Sequence, residues 1–122
     1  MYAGSCLCGE IAYTISACAE NASHCYCTMC QKQHGAASGS YINVASAAFR
    51  YTAGEALVVA YESSPGVTRC FCKRCGSTLT WQMAQHNGRI AVTLGTLDTP
   101  FEGEVTREIH PENKPRWTPR AK

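Results

Sequence analysis

Apolar residues alternate with polar or small residues along several stretches of the chain. Three such stretches are Ile11, Tyr13 and Ile15; Leu57, Val59 and Tyr61; and Ile90, Val92 and Leu94. Side chains two positions apart lie on the same face of a strand, so each stretch predicts a strand with one face against a core. Phe49 and Tyr51 indicate a further strand.

Turn-forming residues separate these predicted strands, and little of the sequence favours a helix. The turn signals are Gly54, Ser64-Pro65-Gly66, Asn87-Gly88 and Thr99-Pro100. One short helix is predicted after Cys30, from Gln31 to Ala37. Residues 111–122 carry three prolines and predict an irregular tail, in which Trp117 is either pinned to the body or loosely packed. The pattern predicts an all-β fold of short antiparallel strands, in a single domain over residues 1–122.

Composition supports a folded domain and argues against several classes of protein. Among 122 residues, 45% are hydrophobic and 16% are charged, which is enough apolar material for a core. The net charge of +2 does not indicate nucleic-acid binding. The chain has no apolar run long enough for a membrane span. Met1 to Gly9 lack the basic and apolar pattern of a secretory signal, so we expect a cytoplasmic protein.

Cysteine is unusually frequent and is arranged in three clusters. The nine cysteines are an odd number, whereas a secreted disulfide scaffold normally uses an even one. One cluster reads C-x-C, at Cys6 and Cys8, and the two that begin at Cys25 and Cys70 both read C-x-C-x-x-C. C-x-C places two sulfurs on one side of a strand, and C-x-x-C does so with a tight turn. These spacings predict metal ligands, with zinc favoured over iron–sulfur clusters.

Glycine positions indicate which clusters combine. Gly9 follows Cys8 and Gly76 follows Cys75, whereas Gln31 follows Cys30. The two cysteine–glycine segments therefore predict two halves of one closed site. Its four thiolates are Cys6, Cys8, Cys72 and Cys75. Four protein ligands leave no open position, so we expect a structural zinc there.

The remaining cluster predicts a second zinc site with three thiolates, from Cys25, Cys27 and Cys30. The sequence does not decide whether a fourth protein ligand completes this site. The candidates are Cys18, Cys70, His24 and His34. Zinc with three thiolates has one net negative charge, so it is a weak Lewis acid and suits hydrolysis poorly. It accepts a further thiolate readily, and that thiolate is a nucleophile. The chemistry indicated is formation or cleavage of a carbon–sulfur bond between a thiol and a small aldehyde.

Several motifs together resemble the glutathione-dependent formaldehyde-activating enzyme family, which also includes centromere protein V. They are Gly4-Ser5-Cys6-Leu7-Cys8-Gly9, Cys25-x-Cys27-x-x-Cys30, Tyr61-Glu62-Ser63-Ser64, Arg69, Phe71-Cys72-x-x-Cys75-Gly76, Gly95-Thr96-Leu97-Asp98, and Ile109, His110, Lys114 and Trp117. The resemblance covers nearly the whole chain. Tyr26 stands where the family often has histidine, and Gln31 where it often has arginine.

The resemblance implies a β-sandwich-like zinc domain. It implies a structural zinc on Cys6, Cys8, Cys72 and Cys75, and a labile zinc at an active site on Cys25, Cys27 and Cys30. The implied activity joins glutathione and formaldehyde into S-hydroxymethylglutathione, and the reverse reaction is that of a carbon–sulfur lyase. The partners implied are a small thiol and a small aldehyde.

Charged residues near the cysteines are candidates for binding the carboxylates of glutathione. They are Lys32, Lys73, Arg69 and Arg74, each also interpretable as a solvated surface charge. Asp98 is interpreted as an acid, a base or, preferably, a turn cap, and Tyr26 as a packing residue.

A non-catalytic zinc module for protein contacts is the alternative function. The tail's basic residues, Lys114, Arg116, Arg120 and Lys122, are too few to indicate nucleic-acid binding. The sequence leaves undecided whether the protein forms a homo-oligomer through an edge strand.

Overall fold

The computed structural model describes residues 1–19 and 21–119, and in these ranges the chain is mostly strand. The strands are β1 Tyr2–Ser5, β2 Ala12–Ile15, β3 Asn21–Cys25, β4 Gly39–Ala45, β5 Phe49–Ala53, β6 Val58–Ser64, β7 Val67–Cys72, β8 Thr78–Met83, β9 Arg89–Thr93 and β10 Glu104–Ile109. One α-helix, α1 Thr28–His34, lies between β3 and β4. Short 3-10 turns occupy Ser46–Ala48, Glu55–Leu57, Ala84–His86, Leu94–Thr96 and Pro111–Asn113. The predicted all-β class with little helix is confirmed.

Two open sheets make up the fold. The small sheet has three strands in the order β1-β2-β5, and the large sheet has seven in the order β10-β3-β4-β9-β8-β7-β6. The pairings are antiparallel, as predicted, except that β10 pairs with β3 in parallel. In an alternating pattern nothing distinguishes a parallel from an antiparallel neighbour, so this pairing was not predicted.

The core lies between the two sheets. Ile11, Tyr13 and Ile15 point from the small sheet into it and are fully or almost fully buried, as their alternation predicted. Ile42 and Val92 meet them from the large sheet, so the sheets pack face to face in a sandwich-like arrangement.

Two strands of the large sheet depart from the predicted one-sided pattern. Leu57, just before β6, and Val58, its first residue, pack against the core, but Tyr61 is 61% exposed, so the predicted inward face was wrong there. The reason is that β6 is the edge strand of the large sheet. In β9, Ala91 is buried as well as Val92, because the face that carries Ala91 is also covered.

The helix and the tail also differ from expectation. Helix α1 begins at Thr28, three residues before the predicted start, because Cys27 caps it: Cys27 Sγ accepts a hydrogen bond from the backbone N–H of Cys30. Its last residue is His34, and the C-cap that follows is Gly35, whose φ of 60° lies in the left-handed region. Trp117 is 71% exposed, so the reading in which it pins the tail is wrong. Residues 120–122 lie outside the described residues.

Within the described ranges, no helix has the length and apolar composition needed to cross a membrane.

Candidate metal centres

The structure brings four cysteines together where the two sheets meet. The Sγ atoms of Cys6, Cys8, Cys72 and Cys75, here called the four-sulfur cluster, all lie within 4.8 Å of one another. Two of the separations are 3.6 Å, from Cys6 to Cys8, and 3.9 Å, from Cys8 to Cys72. A zinc tetrahedron with arms of about 2.3 Å has edges of about 3.8 Å. The donor set and its spacing therefore fit a zinc ion with four thiolates.

Two similar turns build this cluster. Gly9 follows Cys8 with a φ of 81°, and Gly76 follows Cys75 with the same value, a region that favours glycine. Each turn closes with a backbone bond, from Gly9 N to Cys6 O and from Gly76 N to Cys72 O. Backbone N–H groups of Ile11 and Arg74 also donate to cluster sulfurs at 3.3 Å, which stabilises thiolates.

The sulfurs of the four-sulfur cluster differ in acidity. The Ser77 hydroxyl and backbone N–H lower the pKa of Cys75 to about 5. For Cys8, the backbone N–H of Glu10 lowers the pKa, but burial and the neighbouring thiols outweigh it and raise the pKa to about 11. A bound divalent cation displaces the remaining thiol protons, so metal binding at this cluster would depend on pH.

A second group of sulfurs lies at the start of the helix. The Sγ atoms of Cys25, Cys27 and Cys30, here called the three-sulfur cluster, lie within 4.8 Å of one another. Cys25 ends β3, Cys27 is the N-cap of α1 and Cys30 lies in its first turn. The helix therefore folds the C-x-x-C segment back so that its sulfurs meet that of Cys25.

The three-sulfur cluster covers the outer face of the large sheet, opposite the core. Cys30 is 2% exposed and packs with Tyr41 from β4, Ala91 from β9 and Trp81 from β8. Tyr41 Oη lies 3.8 Å from Cys30 Sγ and 2.8 Å from His34 Nε2. This packing explains why β9 is buried on both faces.

A buried arginine completes the surroundings of the three-sulfur cluster. Arg69 Nη1 donates to Cys30 Sγ at 3.5 Å and to Gln33 Oε1 at 2.7 Å. The hydrogen bond from Cys25 is the chief cause that lowers the pKa of Cys30 to about 4, and Arg69 contributes in the same direction. The same hydrogen bond, together with burial, raises the pKa of Cys25. The direction of these shifts favours the thiolate form at Cys30 over Cys25.

None of the four candidates for a fourth ligand joins the three-sulfur cluster, within the part of the chain described. His24 Nδ1 lies 2.8 Å from Ser40 Oγ, and His34 is occupied with Tyr41. Cys18 is exposed, and Cys70 belongs to neither cluster. The three-sulfur cluster therefore offers a metal three protein ligands.

The four candidate cations for a substrate carboxylate have different locations. Lys32 and Lys73 are exposed, and Arg74 is exposed and pairs with Glu10 at 3.1 Å. Arg69 is instead buried against a cysteine. Sequence reasoning missed this contact because Arg69 follows Cys30 by 39 positions, and only strand register brings them together.

The remaining singled-out residues hold local structure. Asp98 accepts a hydrogen bond from Ser5 Oγ at 2.7 Å, and Tyr26 is buried, as its interpretation as a packing residue suggested. Gln31 Nε2 donates to Tyr26 O and to Asn113 O, which ties α1 to the tail. Lys114 Nζ lies 5.0 Å from the centre of the Tyr26 ring.

A polar groove of about 440 Å³ lies beside α1. Gln33 and His34 line one side of it, and Ser77, Thr78 and Thr93 are among the residues of the other. The groove thus extends from the helix of the three-sulfur cluster towards the Gly76 turn of the four-sulfur cluster. Hydroxyl and amide groups of this kind suit a polar ligand.

Three comparisons with known proteins give one finding each. A family model described as glutathione-dependent formaldehyde-activating enzyme matches residues 1–118. No curated protein gives a significant match. A crystal structure of a Rhodobacter sphaeroides protein, a structural genomics target, is similar with a TM-score of 0.71 and 19% identity, over 87% of this chain and 98% of that one. At this identity the likeness supports the fold.

Proposed function

Because the chain belongs to the glutathione-dependent formaldehyde-activating enzyme family, we propose that it is a zinc enzyme that joins a small thiol to a small aldehyde. Glutathione and formaldehyde are the substrates that the family description supports. In the reverse direction the same enzyme is a carbon–sulfur lyase. The observation that carries the proposal is the three-sulfur cluster, which has three ligand sulfurs and, in the described part of the chain, no fourth.

In this proposal the two clusters hold zinc for different purposes. The four-sulfur cluster supplies every ligand of a tetrahedral ion, so its zinc is structural. Cys25, Cys27 and Cys30 hold the second ion and leave one position for a substrate. Zinc bound there keeps the sulfur of a substrate thiol deprotonated and therefore nucleophilic.

The reaction needs no oxidant or reductant. The substrate sulfur forms a bond to the carbonyl carbon, and the π electron pair moves to the carbonyl oxygen. That oxygen takes up the proton that the thiol gave up, so the product is a hemithioacetal, which is an S-hydroxymethyl compound when the aldehyde is formaldehyde. In the lyase direction the carbonyl double bond forms again, the carbon–sulfur bond breaks with its electron pair going to sulfur, and the hydroxyl proton is transferred back so that the free thiol and the aldehyde are released.

The protein contributes an enclosed, partly apolar site for this chemistry. Trp81, Tyr41 and Ala91 pack against the cluster and exclude water from its buried side. Low local polarity strengthens the interaction of the thiolate with nearby cations. The nine cysteines are free in this structure, which fits our proposal that the protein works in a reducing compartment such as the cytoplasm.

Zinc analysis tests the proposal directly. Zinc per chain is measured before and after incubation with millimolar glutathione and a mild chelator. We expect two zinc ions that fall to one, because a site with three protein ligands exchanges its metal more readily than a closed one. Two zinc ions that never exchange would contradict a substrate position at the three-sulfur cluster.

A matched pair of variants assigns the response to the cluster. Cys27→Ser removes a sulfur of the three-sulfur cluster, whereas Cys70→Ser removes one that belongs to neither cluster. Glutathione binding, measured by calorimetry, is expected to be lost in Cys27→Ser and retained in Cys70→Ser. Unchanged glutathione binding in Cys27→Ser would refute the proposed role.

The second candidate function is a non-catalytic zinc module for protein contacts. Exposed large apolar side chains favour it, since Leu7 projects from the first cysteine turn and Tyr61 and Trp117 also face solvent. Under this alternative, glutathione leaves the zinc content unchanged and neither cysteine variant alters thiol binding.

A further inference from the structure

Arg69 is a charged residue in an unusual position for a small protein. It lies in β7, on the outer face of the large sheet, and is only 4% exposed. Nε donates to Ser63 Oγ at 3.0 Å, and Nη1 donates to Gln33 Oε1 and Cys30 Sγ. Gln33 belongs to the helix that also carries Cys30. The guanidinium is thus held between β6 and α1 with one nitrogen directed at the cluster.

A guanidinium removed from water requires an anion, because an unpaired buried charge is costly. Ion pairs with carboxylates in the described ranges involve Arg74, His110 and Lys114, and Arg69 is in none of them. Its two oxygen partners, Ser63 and Gln33, are neutral. The sulfur of Cys30 is therefore the anion that Arg69 faces.

The four-sulfur cluster is arranged differently. Within the described ranges, the N–H groups that donate to its sulfurs are backbone amides, among them those of Ile11 and Arg74. The Arg74 side chain is turned away, exposed and paired with Glu10. In the described part of the chain, the cluster with four cysteines thus has no buried cation beside it, whereas the cluster with three has Arg69.

The net charge of each metal site explains why only the three-sulfur cluster would benefit from a nearby cation. A divalent metal with three thiolates has one net negative charge, and a fourth thiolate raises it to two. In a buried site each added negative charge is disfavoured unless a cation is close. With the positive charge of Arg69 counted, the net charge is zero for the site with three thiolates and one negative for the site with four. The cation therefore stabilises the state with an anionic fourth ligand more than the state with a neutral one.

We propose that Arg69 is a positioning residue that makes the three-sulfur cluster select an anionic fourth ligand, such as a substrate thiolate, over a neutral one. The proposal rests on the proposed function in that the cluster holds a metal with an open position. Ser63 and Gln33 orient the guanidinium, and Cys30 transmits its effect to the metal.

Ligand selectivity of the cobalt-loaded full chain tests the proposal. Co²⁺ bound by thiolates absorbs strongly, and this absorption changes when a fourth ligand binds. Three probes are titrated at one pH: 2-mercaptoethanol, azide and the neutral ligand imidazole. The variants are Arg69→Met, which removes the charge, Arg69→Lys, which keeps it, and Arg74→Met as the matched control near the other cluster.

In Arg69→Met we expect the affinity for both anions to fall about tenfold or more, the usual effect of losing a charge-assisted hydrogen bond. Imidazole affinity is expected to change less than about threefold, because its binding adds no charge. Arg69→Lys restores most of the anion affinity, and Arg74→Met leaves all three affinities unchanged. Equal losses for anions and imidazole would show a structural role and overturn the proposal.

Two further outcomes separate this inference from the proposed function. If the wild type binds azide but neither 2-mercaptoethanol nor glutathione, the proposed function fails and the role of Arg69 stands. If the wild type binds thiols but its ratio of thiol affinity to imidazole affinity is no higher than that of Arg69→Met, the role of Arg69 fails and the proposed function stands. Should Arg69→Met not retain its second cobalt, Arg69→Lys decides: an anion preference lost despite the retained charge overturns the inference.

Discussion

Cys72 and Cys70 are neighbours on one strand with different environments. Cys72 is fully buried, accepts a hydrogen bond from the backbone N–H of Arg74 and lies 3.9 Å from Cys8 Sγ. Cys70 lies two positions earlier in β7, is half-buried and belongs to neither cluster. Comparing substitutions of these two cysteines therefore separates the loss of a candidate metal ligand from the loss of a small, half-buried side chain.

Cys72→Ser is expected to cost at least about 3 kcal/mol of unfolding free energy, roughly 10 °C in Tm, because a structural zinc supplies folding free energy. Cys70→Ser is expected to cost about 1 kcal/mol or less, since it keeps the side-chain volume. Thermal unfolding with zinc analysis measures both effects. Equal changes in the two variants would contradict a structural metal at the four-sulfur cluster.

At the scale of elements, α1 and β4 approach closely where Gly39 begins the strand. A Cβ at Gly39 would lie 2.7 Å from His34 Nε2 and 2.9 Å from Tyr41 Oη. These two side chains link the end of the helix to the sulfur of Cys30. Glycine at this position therefore permits the packing that holds the helix over the sheet.

Gly39→Ala is expected to destabilise the protein by about 1–3 kcal/mol, because an added methyl group forces apart packed side chains. It should also weaken cobalt binding at the three-sulfur cluster and leave the four-sulfur cluster intact. Gly88→Ala is the control, since its Cβ meets nothing within 4 Å. The explanation is wrong if both clusters weaken equally or if the two variants behave alike.

The elements also show which parts of the fold a pattern of side chains predicts. Period two identified β2, because Tyr13 and Ile15 on one of its faces are buried and the residues of the other face are only partly so. It predicted the wrong face for Tyr61, since a sheet edge extends beyond the layer that covers it. The start of α1 escaped prediction because its cap is a cysteine sulfur, which ordinary capping preferences do not include.

For the candidate site, spacing and two glycines indicated the same cysteine groups that the structure brings together. That these groups hold zinc stays a prediction. The surroundings of the three-sulfur cluster were not predictable in this way. Tyr41, Arg69 and Trp81 come from three different strands, and only the register of the large sheet places them beside Cys30.

At the scale of the whole molecule, the four-sulfur cluster connects the two sheets. Cys6 and Cys8 follow β1 of the small sheet, whereas Cys72 ends β7 of the large sheet. A metal ion held by all four sulfurs would cross-link segments that are more than sixty positions apart, since the sulfurs of Cys8 and Cys72 lie 3.9 Å from each other. Such a link would stabilise the docking of the sheets as well as the local turns.

Metal removal should therefore affect the small sheet first. In the zinc-free protein we expect the amide hydrogens of β1 and β2 to exchange with solvent much faster, whereas those of β4 and β9 change less. Hydrogen exchange with mass spectrometry measures this, with the zinc-reloaded protein as the control. Uniformly faster exchange across both sheets would show that the metal stabilises the molecule as a single unit instead.

The parallel pairing of β10 with β3 has a consequence for the order in which the protein is made. Residues 21–25 leave the ribosome long before residues 104–109, and until then one edge of β3 has no neighbour. The sulfurs of Cys25, Cys27 and Cys30 are close in sequence and can capture a metal during this interval. Arg69 and the final strand are made afterwards, so a metal captured in this interval would lack the contacts that the finished domain adds around Cys30.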